Sequence, residues 1–188
     1  MSKTITFITG NKYKAESMKH GLSEFDINLE VENLDTLEIQ ALTSSQVAAY
    51  SAKWAAEKLN RPVIKTDSGL FINCLNGLPG VYTSQFQKQL GPKKIMQLMQ
   101  DEPDRSAYIR YALAYCEPGK EATVFETGTT GTIAQGIRGE DGMLIDYIFI
   151  PDEQKLTMGE LRESQPEKRE KAWGDAEKQF ARWFLQNG

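Results

Sequence analysis

Short runs of β-branched and aromatic residues, separated by polar turns, predict the strands of a β-sheet. The predicted strands cover residues 4–9, 27–31, 63–64, 70–72, 107–116, 122–125 and 129–133. The stretch 66–69, between the third and fourth runs, reads Thr-Asp-Ser-Gly and indicates a turn. The pattern therefore places Asp67 at a strand end, which is where α/β folds carry their chemistry.

Apolar residues at helical spacing predict the helices. The predicted helices cover residues 12–20, 44–59, 92–99 and a C-terminal segment. Thr43 and Gln46 have the spacing of a capping box at the start of the second helix. In that helix Val47, Tyr50 and Trp54 share one face, so we expect all three to be buried.

The C-terminal helix is predicted by five apolar residues that recur at helical spacing: Trp173, Ala176, Phe180, Trp183 and Phe184. Projected backward by four residues, this apolar stripe meets Arg169. An arginine in that position must reach a carboxylate, a phosphate or solvent. A structural salt bridge and a phosphate contact are therefore both open for Arg169.

Composition and charge restrict the class of protein. The chain has 188 residues and no low-complexity linker, so we expect one domain over residues 1–188. A net charge of −4 without a basic stripe argues against nucleic acid as a partner. No apolar run approaches the roughly 20 residues that a membrane span requires. Cys74 and Cys116 lie far apart, and no leader precedes the first strand, so we expect a reduced, cytoplasmic protein.

The chain contains a single histidine, His20, in a segment that is typical of a helix surface. A Ser-His-Asp or Cys-His mechanism would depend on that one residue, and a zinc site of His and Cys ligands cannot be assembled. Any hydrolysis is therefore expected to use carboxylates and a hard metal ion that prefers oxygen ligands.

The first strand breaks at Gly10 and Asn11, and a helix follows. This arrangement presents backbone N–H groups and the positive end of the helix dipole to an anion. Lys12 and Lys14 add positive charge at the same end, where acidic residues would be favoured for stability alone. These features are consistent with a phosphate-binding loop.

Two consecutive motifs occur at residues 66–70, which read TDSGL, and at residues 74–82, which read CLNGLPGVY. They resemble the signature of the ITPase family, which reads (E/D)-D-(S/T)-x-L followed by a-L-n-G-x-P-G-x-Y. The members of this family are pyrophosphatases that hydrolyse non-standard purine nucleoside triphosphates. The resemblance extends over most of the chain. It implies an α/β fold with a long mixed central sheet, helices on its faces, and two lobes around an active-site cleft.

The resemblance also implies a set of substrate-binding residues. These are Thr9, Gly10, Asn11, Lys14, Lys53, Ser68, Asp146, Lys168 and Arg169. The first four match the family's T-G-N-x-x-K phosphate loop position for position. Lys53 aligns with a lysine that is usual in the family, although a surface lysine lying along an apolar face is equally compatible with its position.

The metal site and the reaction are implied in the same way. Glu38 lies in a segment that resembles the family's E-x-Q motif, whose glutamate helps to hold the metal. Glu38 and Asp67 would bind Mg²⁺, and Asp67, as the catalytic residue, would also orient or deprotonate the attacking water. The expected reaction converts a nucleoside triphosphate to a monophosphate and pyrophosphate. Since the family usually forms homodimers, we expect a homodimer here.

The chain departs from the family at several positions. Thr66 replaces the first carboxylate of the acidic pair, Lys168 replaces a histidine, and Glu163 replaces a lysine. Within 138–151, Met143 and Ile145 replace aromatic residues of a segment that packs on the base in the family. We therefore expect the sharp preference for ITP and XTP to be lost in favour of a broader or shifted substrate range.

Two alternatives to an active pyrophosphatase are open. The chain could bind nucleotides but turn them over weakly or not at all. It could instead be an interaction module, although that class would leave the retained Asn11, Lys14, Glu38, Asp67 and Arg169 unexplained.

Overall fold

The computed structural model describes residues 2–139 and 142–187, and its strands form one seven-stranded mixed sheet within those residues. The strands are β1 (Lys3–Ile8), β2 (Ile27–Glu32), β3 (Val63–Ile72), β4 (Pro79–Gly80), β5 (Ser106–Cys116), β6 (Thr123–Ile133) and β7 (Phe149–Pro151). Their order is β2-β1-β3-β5-β6-β7, with β4 paired to β3. The strand β1 is parallel to β2 and β3, whereas the pairs β3–β4 and β6–β7 are antiparallel.

Helices alternate with these strands along the chain, which confirms the predicted α/β class. They are α1 (Lys12–Gly21), α2 (Ser44–Leu59), α3 (Thr83–Gln89), α4 (Gly91–Leu98), α5 (Leu144–Ile148), α6 (Met158–Ser164), α7 (Pro166–Trp173) and α8 (Ala176–Asn187). Within the described ranges, none of the helices combines the length and the apolar character that crossing a bilayer requires.

The chain divides into two compact units, and the expectation of a single domain stays a prediction. The first unit comprises Met1–Asp67, Tyr111–Glu126 and Asp175–Gly188. Its core contains an aromatic cluster in which Phe180 and Phe184 of α8 are buried with Phe7 of β1. A second cluster packs α2 against the neighbouring strands through small side chains, chiefly alanines. Burial of these apolar faces is the main stabilising contribution to the unit.

The buried face of α2 differs from the predicted one. Val47 is buried as expected, but Tyr50 is exposed and Trp54 is only half-buried. The residues that face the core are Ala48, Ser51, Ala52, Ala55 and Ala56. Because Tyr50 is two positions from both Ala48 and Ala52, a helix with 3.6 residues per turn places it on the opposite side. Small residues let α2 approach the strands closely, so the larger apolar residues were a misleading signal.

The second unit comprises Ser68–Arg110 and Thr127–Gly174. Its core contains side chains from the end of β3, from α4 and β5, and from the helices α5 and α6. Leu70, Ile95, Ile109, Leu144 and Leu161 are fully buried members of this cluster. The α4 helix was predicted from its apolar face, and the burial of Ile95 confirms that prediction.

Two predicted strand breaks are wrong. Residues 63–72 form one continuous strand, β3, so Asp67 lies inside a strand and not at its end. Residues 123–133 likewise form the single strand β6. In both segments the polar residues follow the two-residue period of a strand: Thr66 is buried whereas Lys65 and Asp67 are half-exposed. Polar residues that alternate in this way belong to a strand, and they had been interpreted as a turn.

The projection of the C-terminal stripe back to Arg169 is also wrong, because two helices lie where one was predicted. The α7 helix ends at Trp173, and α8 begins at Ala176. Gly174 between them has φ = 87°, a conformation that favours glycine. A Cβ at Gly174 would also lie 2.6 Å from Cβ of Thr127, whose hydroxyl donates to the Trp173 carbonyl at 2.9 Å. Arg169 therefore lies in α7, whereas the apolar residues from Ala176 onward lie in α8.

The strands β6 and β7 approach each other closely at Gly131, and a substitution there measures this approach. A Cβ at this position would lie 2.2 Å from the Ile150 carbonyl oxygen and 2.7 Å from Cζ of Phe149. We expect Gly131→Ala to lower the free energy of unfolding by about 1–3 kcal/mol because backbone must move to admit the methyl group. Urea denaturation of Gly131→Ala and of the control Gly136→Ala, whose Cβ would meet nothing within 4 Å, measures the difference. Equal stability of the two variants would contradict the close approach of these strands.

Candidate active site

The predicted phosphate loop connects β1 to α1, and its side chains bond mainly to its own backbone. The buried Thr9 hydroxyl accepts a hydrogen bond from the Asn11 N–H at 3.1 Å. Asn11 in turn caps α1, since its Oδ1 accepts from the N–H groups of Tyr13 at 2.9 Å and Lys14 at 3.3 Å. Gly10 is exposed, and a Cβ there would lie 2.6 Å from Oδ1 of Asn33. The loop therefore has a fixed shape and an accessible backbone at Gly10.

Lys14 connects this loop to β3. Its ammonium donates to the Thr66 carbonyl oxygen at 3.2 Å. Because Thr66 directly precedes Asp67, this contact places the Lys14 ammonium beside the backbone of β3 next to Asp67. The phosphate-binding role of Lys14 and the catalytic role of Asp67 stay predictions.

Lys65 is a residue of this site that the sequence analysis missed. Its ammonium donates to the Thr36 hydroxyl at 2.7 Å. Burial lowers the pKa of Lys65, Lys14 lowers it further, and the carboxylates of Glu38 and Asp67 oppose both effects. Glu38 and Asp67 therefore lie within electrostatic reach of the same ammonium group. The signal that could have revealed Lys65 is the alternation along β3, which places it on the same face as Asp67.

Glu38 belongs to an irregular segment that is anchored on both sides. Ser51 of α2 donates to the Leu37 carbonyl at 3.1 Å, and Lys65 of β3 donates to the neighbouring Thr36. The Glu38 side chain itself is exposed. These two anchors hold an accessible carboxylate near the face of β3 that carries Asp67.

The carboxylate pair fits a magnesium site that relies on its substrate. Among residues 2–139 and 142–187, no group of three or more His, Cys, Asp or Glu side chains is arranged to hold a metal ion. Glu38 and Asp67 supply two anionic oxygen ligands, and an oxygen of Asp67 is buried. Mg²⁺ commonly binds through one or two carboxylates, several waters and substrate phosphates. The donor set therefore suits Mg²⁺ rather than zinc.

Among residues 2–139 and 142–187, Lys53 and Ser68 make no contact that indicates a phosphate site. Lys53 lies in the middle of α2 and forms an ion pair with Glu121. The hydrogen bond from Lys53 to Glu121 raises the pKa of the Lys53 ammonium, as expected for a surface pair. Ser68 follows Asp67 within β3 and is half-buried. Their phosphate-binding roles stay predictions, and for Lys53 the observed contact matches the surface-lysine alternative.

In the second unit, Asp146 is the centre of a charged cluster. It lies in α5, is fully buried, and accepts a hydrogen bond at Oδ2 from the Met143 N–H at 2.8 Å. Arg162 of α6 contacts the same oxygen at 2.5 Å, and Arg169 of α7 contacts Oδ1 at 3.3 Å. A Cβ at Gly142 would lie 2.8 Å from Oδ2, so glycine allows the loop to close over the carboxylate.

Gln87 of α3 holds the loop that carries this cluster. Its Oε1 accepts from the Leu144 N–H at 2.6 Å, and its amide nitrogen lies 3.5 Å from the Gly142 carbonyl oxygen. One amide side chain thus fixes both ends of the segment 142–144. The backbone that presents Asp146 is therefore constrained independently of the ion pairs.

Arg169 is mostly buried beside Asp146. Burial lowers the pKa of the Arg169 guanidinium, Asp146 opposes that effect, and Arg162 adds to it. The guanidinium carbon lies 5.8 Å from the centre of the Trp173 ring. The structural salt bridge that the sequence left open for Arg169 is present, and its partner is Asp146.

The other residues that were predicted to contact the substrate in this unit differ in how far they are exposed. Lys168 and Glu163, which stand where the family has a histidine and a lysine, are both exposed. Ile145 is fully buried in the core of the unit, whereas Met143 is half-buried. Of the two residues that were expected to provide an apolar surface for the base, only Met143 retains accessible surface. Arg162 is the residue of this cluster that the sequence analysis missed.

The sheet, the loop before α1 and the carboxylate pair define an α/β protein of the class that the sequence resembled. A model of the Ham1 family matches residues 5–183, and the chain belongs to that family. It is 42% identical over 164 residues to a dITP/XTP pyrophosphatase of Methanosarcina acetivorans, covering 87% of this chain and 88% of the relative. It is 40% identical over 185 residues to a dITP/XTP pyrophosphatase of Methanosarcina mazei, covering 96% and 97%.

Solved structures agree with the family assignment. A HAM1 protein from Coxiella burnetii superposes with a TM-score of 0.84 at 24% identity, covering 98% of this chain and 99% of the other. The Ham1 protein of Staphylococcus aureus has a TM-score of 0.80 at 26% identity, covering 98% of both chains. The predicted fold is therefore confirmed over nearly the full length.

Proposed function

We propose that this chain is a nucleoside triphosphate pyrophosphatase that removes non-standard purine nucleotides such as dITP, ITP and XTP, or a nucleotide toward which its substrate range has shifted. The reaction produces the monophosphate and pyrophosphate. The observation that carries the proposal is the grouping of Lys14, Glu38 and Asp67 in the first unit. The dITP/XTP pyrophosphatases that share about two fifths of its sequence support the substrate class.

In this proposal the first unit acts on the triphosphate chain. The exposed backbone at Gly10 and the ammonium of Lys14 bind phosphate oxygens, and the Asn11 cap keeps the loop in shape. Asp67 orients the attacking water and accepts its proton. Lys65, on the same face of β3, offsets the mutual repulsion of the carboxylates.

Mg²⁺ is the proposed cofactor, and Glu38 and Asp67 are the residues that would hold it. When bound, it would supply electrostatic stabilisation of the charge that develops on the phosphates. The support is the all-oxygen donor set and the number of carboxylates, which suits an ion that keeps waters and shares its coordination with substrate. We also propose a homodimer, on the strength of the family resemblance alone, and a cytoplasmic location, on the basis of two cysteines that lie far apart in the sequence. Sedimentation analysis would decide the oligomeric state.

We expect metal-dependent cleavage between the α and β phosphates. Incubation with ITP and Mg²⁺, followed by phosphorus NMR, should show inosine monophosphate and pyrophosphate, and EDTA should abolish the reaction. Orthophosphate in place of pyrophosphate would show that the reaction class is wrong. Turnover that persists in EDTA would remove the metal from the mechanism.

A second candidate function is nucleotide binding without efficient turnover. It is favoured by Thr66, which stands where the family has a carboxylate. Thermal stabilisation by ITP and Mg²⁺ without any product would support this candidate over the pyrophosphatase. Absence of both stabilisation and product would contradict both functions.

A further inference from the structure

We propose that Lys65 binds an anionic oxygen of the triphosphate chain, as a second ammonium group beside that of Lys14. The inference rests on the proposed function and deepens it, since Lys65 lies outside every motif that the sequence displays. The residues that carry it all belong to the first unit.

Lys65 lies on the face of β3 that carries Asp67. Successive side chains of a strand point to opposite faces, so residues 65 and 67 share one face and the buried Thr66 lies on the other. Lys65 is half-buried, so part of its side chain is accessible. An ammonium group is therefore carried on the same face as the predicted catalytic carboxylate.

The Lys65 ammonium retains donors that the protein does not use. It donates to the Thr36 hydroxyl at 2.7 Å, and within residues 2–139 and 142–187 this is its hydrogen bond. No carboxylate in the same described ranges forms an ion pair with it. Because an ammonium group carries three N–H donors, two are left for water or a ligand.

Packing does not explain a lysine at this position. Taking an ammonium group partly out of water costs free energy unless an anion pairs with it. Val63, two positions earlier on the same face of β3, is fully buried, and a β-branched residue would also suit the strand at position 65. Stability alone therefore favours an apolar residue over Lys65.

The charges around Lys65 favour an anionic ligand. Lys14 lowers the pKa of Lys65, so the two ammonium groups lie close enough to repel each other. The carboxylates of Glu38, Asp67 and Asp35 act in the opposite direction, but Glu38 and Asp35 are exposed, where water and salt screen them. An anion bound by both ammonium groups would relieve their repulsion.

The surroundings of Lys14 indicate which anion this is. Lys14 lies in the first turn of α1, directly after the exposed backbone of Gly10 and the cap formed by Asn11. Backbone N–H groups at a helix N-terminus together with ammonium groups favour phosphate. Because every nucleoside triphosphate carries the same phosphates, a change at Lys65 should affect ITP and ATP alike.

Two variants and a control test the proposal. Lys65→Met removes the charge and keeps an unbranched chain, whereas Lys65→Gln removes the charge and keeps an amide that can donate to Thr36. The control is Lys58→Met, which removes an exposed lysine of α2 whose ammonium lies 4.5 Å from the centre of the Trp54 ring. For each protein we would measure calorimetric binding of tripolyphosphate in EDTA, and kcat and KM with ITP and ATP in Mg²⁺.

We expect Lys65→Met and Lys65→Gln to weaken tripolyphosphate binding about 10-fold or more, because a hydrogen bond from a charged donor is lost. The loss in kcat/KM should agree within about 3-fold between ITP and ATP, and Lys58→Met should match the unmodified protein. Tripolyphosphate binding that matches that of Lys58→Met would overturn the proposal, even where kcat falls, and would leave Lys65 to act on the carboxylates alone. A loss confined to one of the two bases would overturn it as well.

The binding measurement separates this inference from the proposed function, since it requires neither metal nor turnover. If the unmodified protein binds tripolyphosphate but releases no pyrophosphate from ITP, the proposed function fails, and the loss of affinity in Lys65→Met still tests the lysine. An unmodified protein that does not bind tripolyphosphate would overturn the inference. If Lys65→Met does not fold, Lys65→Gln carries the test, and its undiminished binding would overturn the proposal.

Discussion

Asp67→Asn should lower kcat at least about 100-fold, because the variant loses both a proton acceptor and an anionic metal ligand. Asparagine has nearly the same shape as aspartate, and Asp67 is half-buried in the middle of β3, so we expect the fold to persist. Steady-state kinetics with ITP and Mg²⁺ measure the loss, and circular dichroism with urea denaturation checks folding. A folded variant that keeps most of its activity would remove Asp67 from the mechanism.

Asp35→Asn is the matched control for this variant. Asp35 also acts electrostatically on Lys65, but it is exposed and belongs to no motif of the site. Its replacement removes one negative charge from the same surroundings, and we expect kcat to stay within about 3-fold because surface charges are screened. A comparable loss in both variants would mean that general charge, and not the position of Asp67, matters.

Much of the fold was predictable because most apolar runs lie within the helix or strand that they predicted. The strand β5 and the helices α1, α2 and α4 lie where their patterns placed them. The failures have two physical causes. Thr66 and Gly128 occur within strands, where alternation of buried and exposed positions permits polar residues and glycine. The break at Gly174 depends on its contact with Thr127, which is distant in sequence and cannot be read from a local pattern.

The candidate site was predictable where it consists of motifs and unpredictable where it consists of contacts between them. The loop of Thr9 to Lys14 has the local geometry that its sequence indicated. Lys65 and Arg162 acquire a role only through their neighbours, Thr36 and Asp146, which lie 29 and 16 residues away in sequence. The alternation along β3 indicates the face on which Lys65 lies, but no short motif identifies the residue that it contacts.

The surroundings of Thr66 suit a threonine at the position where the family has a carboxylate. Thr66 is 4% exposed and lies on the face of β3 opposite to Lys65 and Asp67. The Thr66 side chain interacts with the side chain of Tyr111. The Tyr111 hydroxyl donates a hydrogen bond to Glu177 at 2.8 Å. Burial and Glu177 together raise the pKa of Tyr111 well above its usual range. A carboxylate at position 66 would be buried, and burial disfavours its charged form. Threonine carries no charge and is therefore compatible with burial at this position.

Asp146→Asn should cause the largest loss of stability among the substitutions considered, because it removes a fully buried carboxylate that two mostly buried guanidinium groups contact. Removing one partner of a buried ion pair costs about 3–5 kcal/mol, whereas an exposed pair contributes roughly 0–1 kcal/mol. The control is Glu121→Gln, which breaks the exposed pair with Lys53. Urea denaturation of both variants measures the difference. A loss no greater than that of Glu121→Gln would show that the Asp146 carboxylate does not stabilise the unit through its ion pairs.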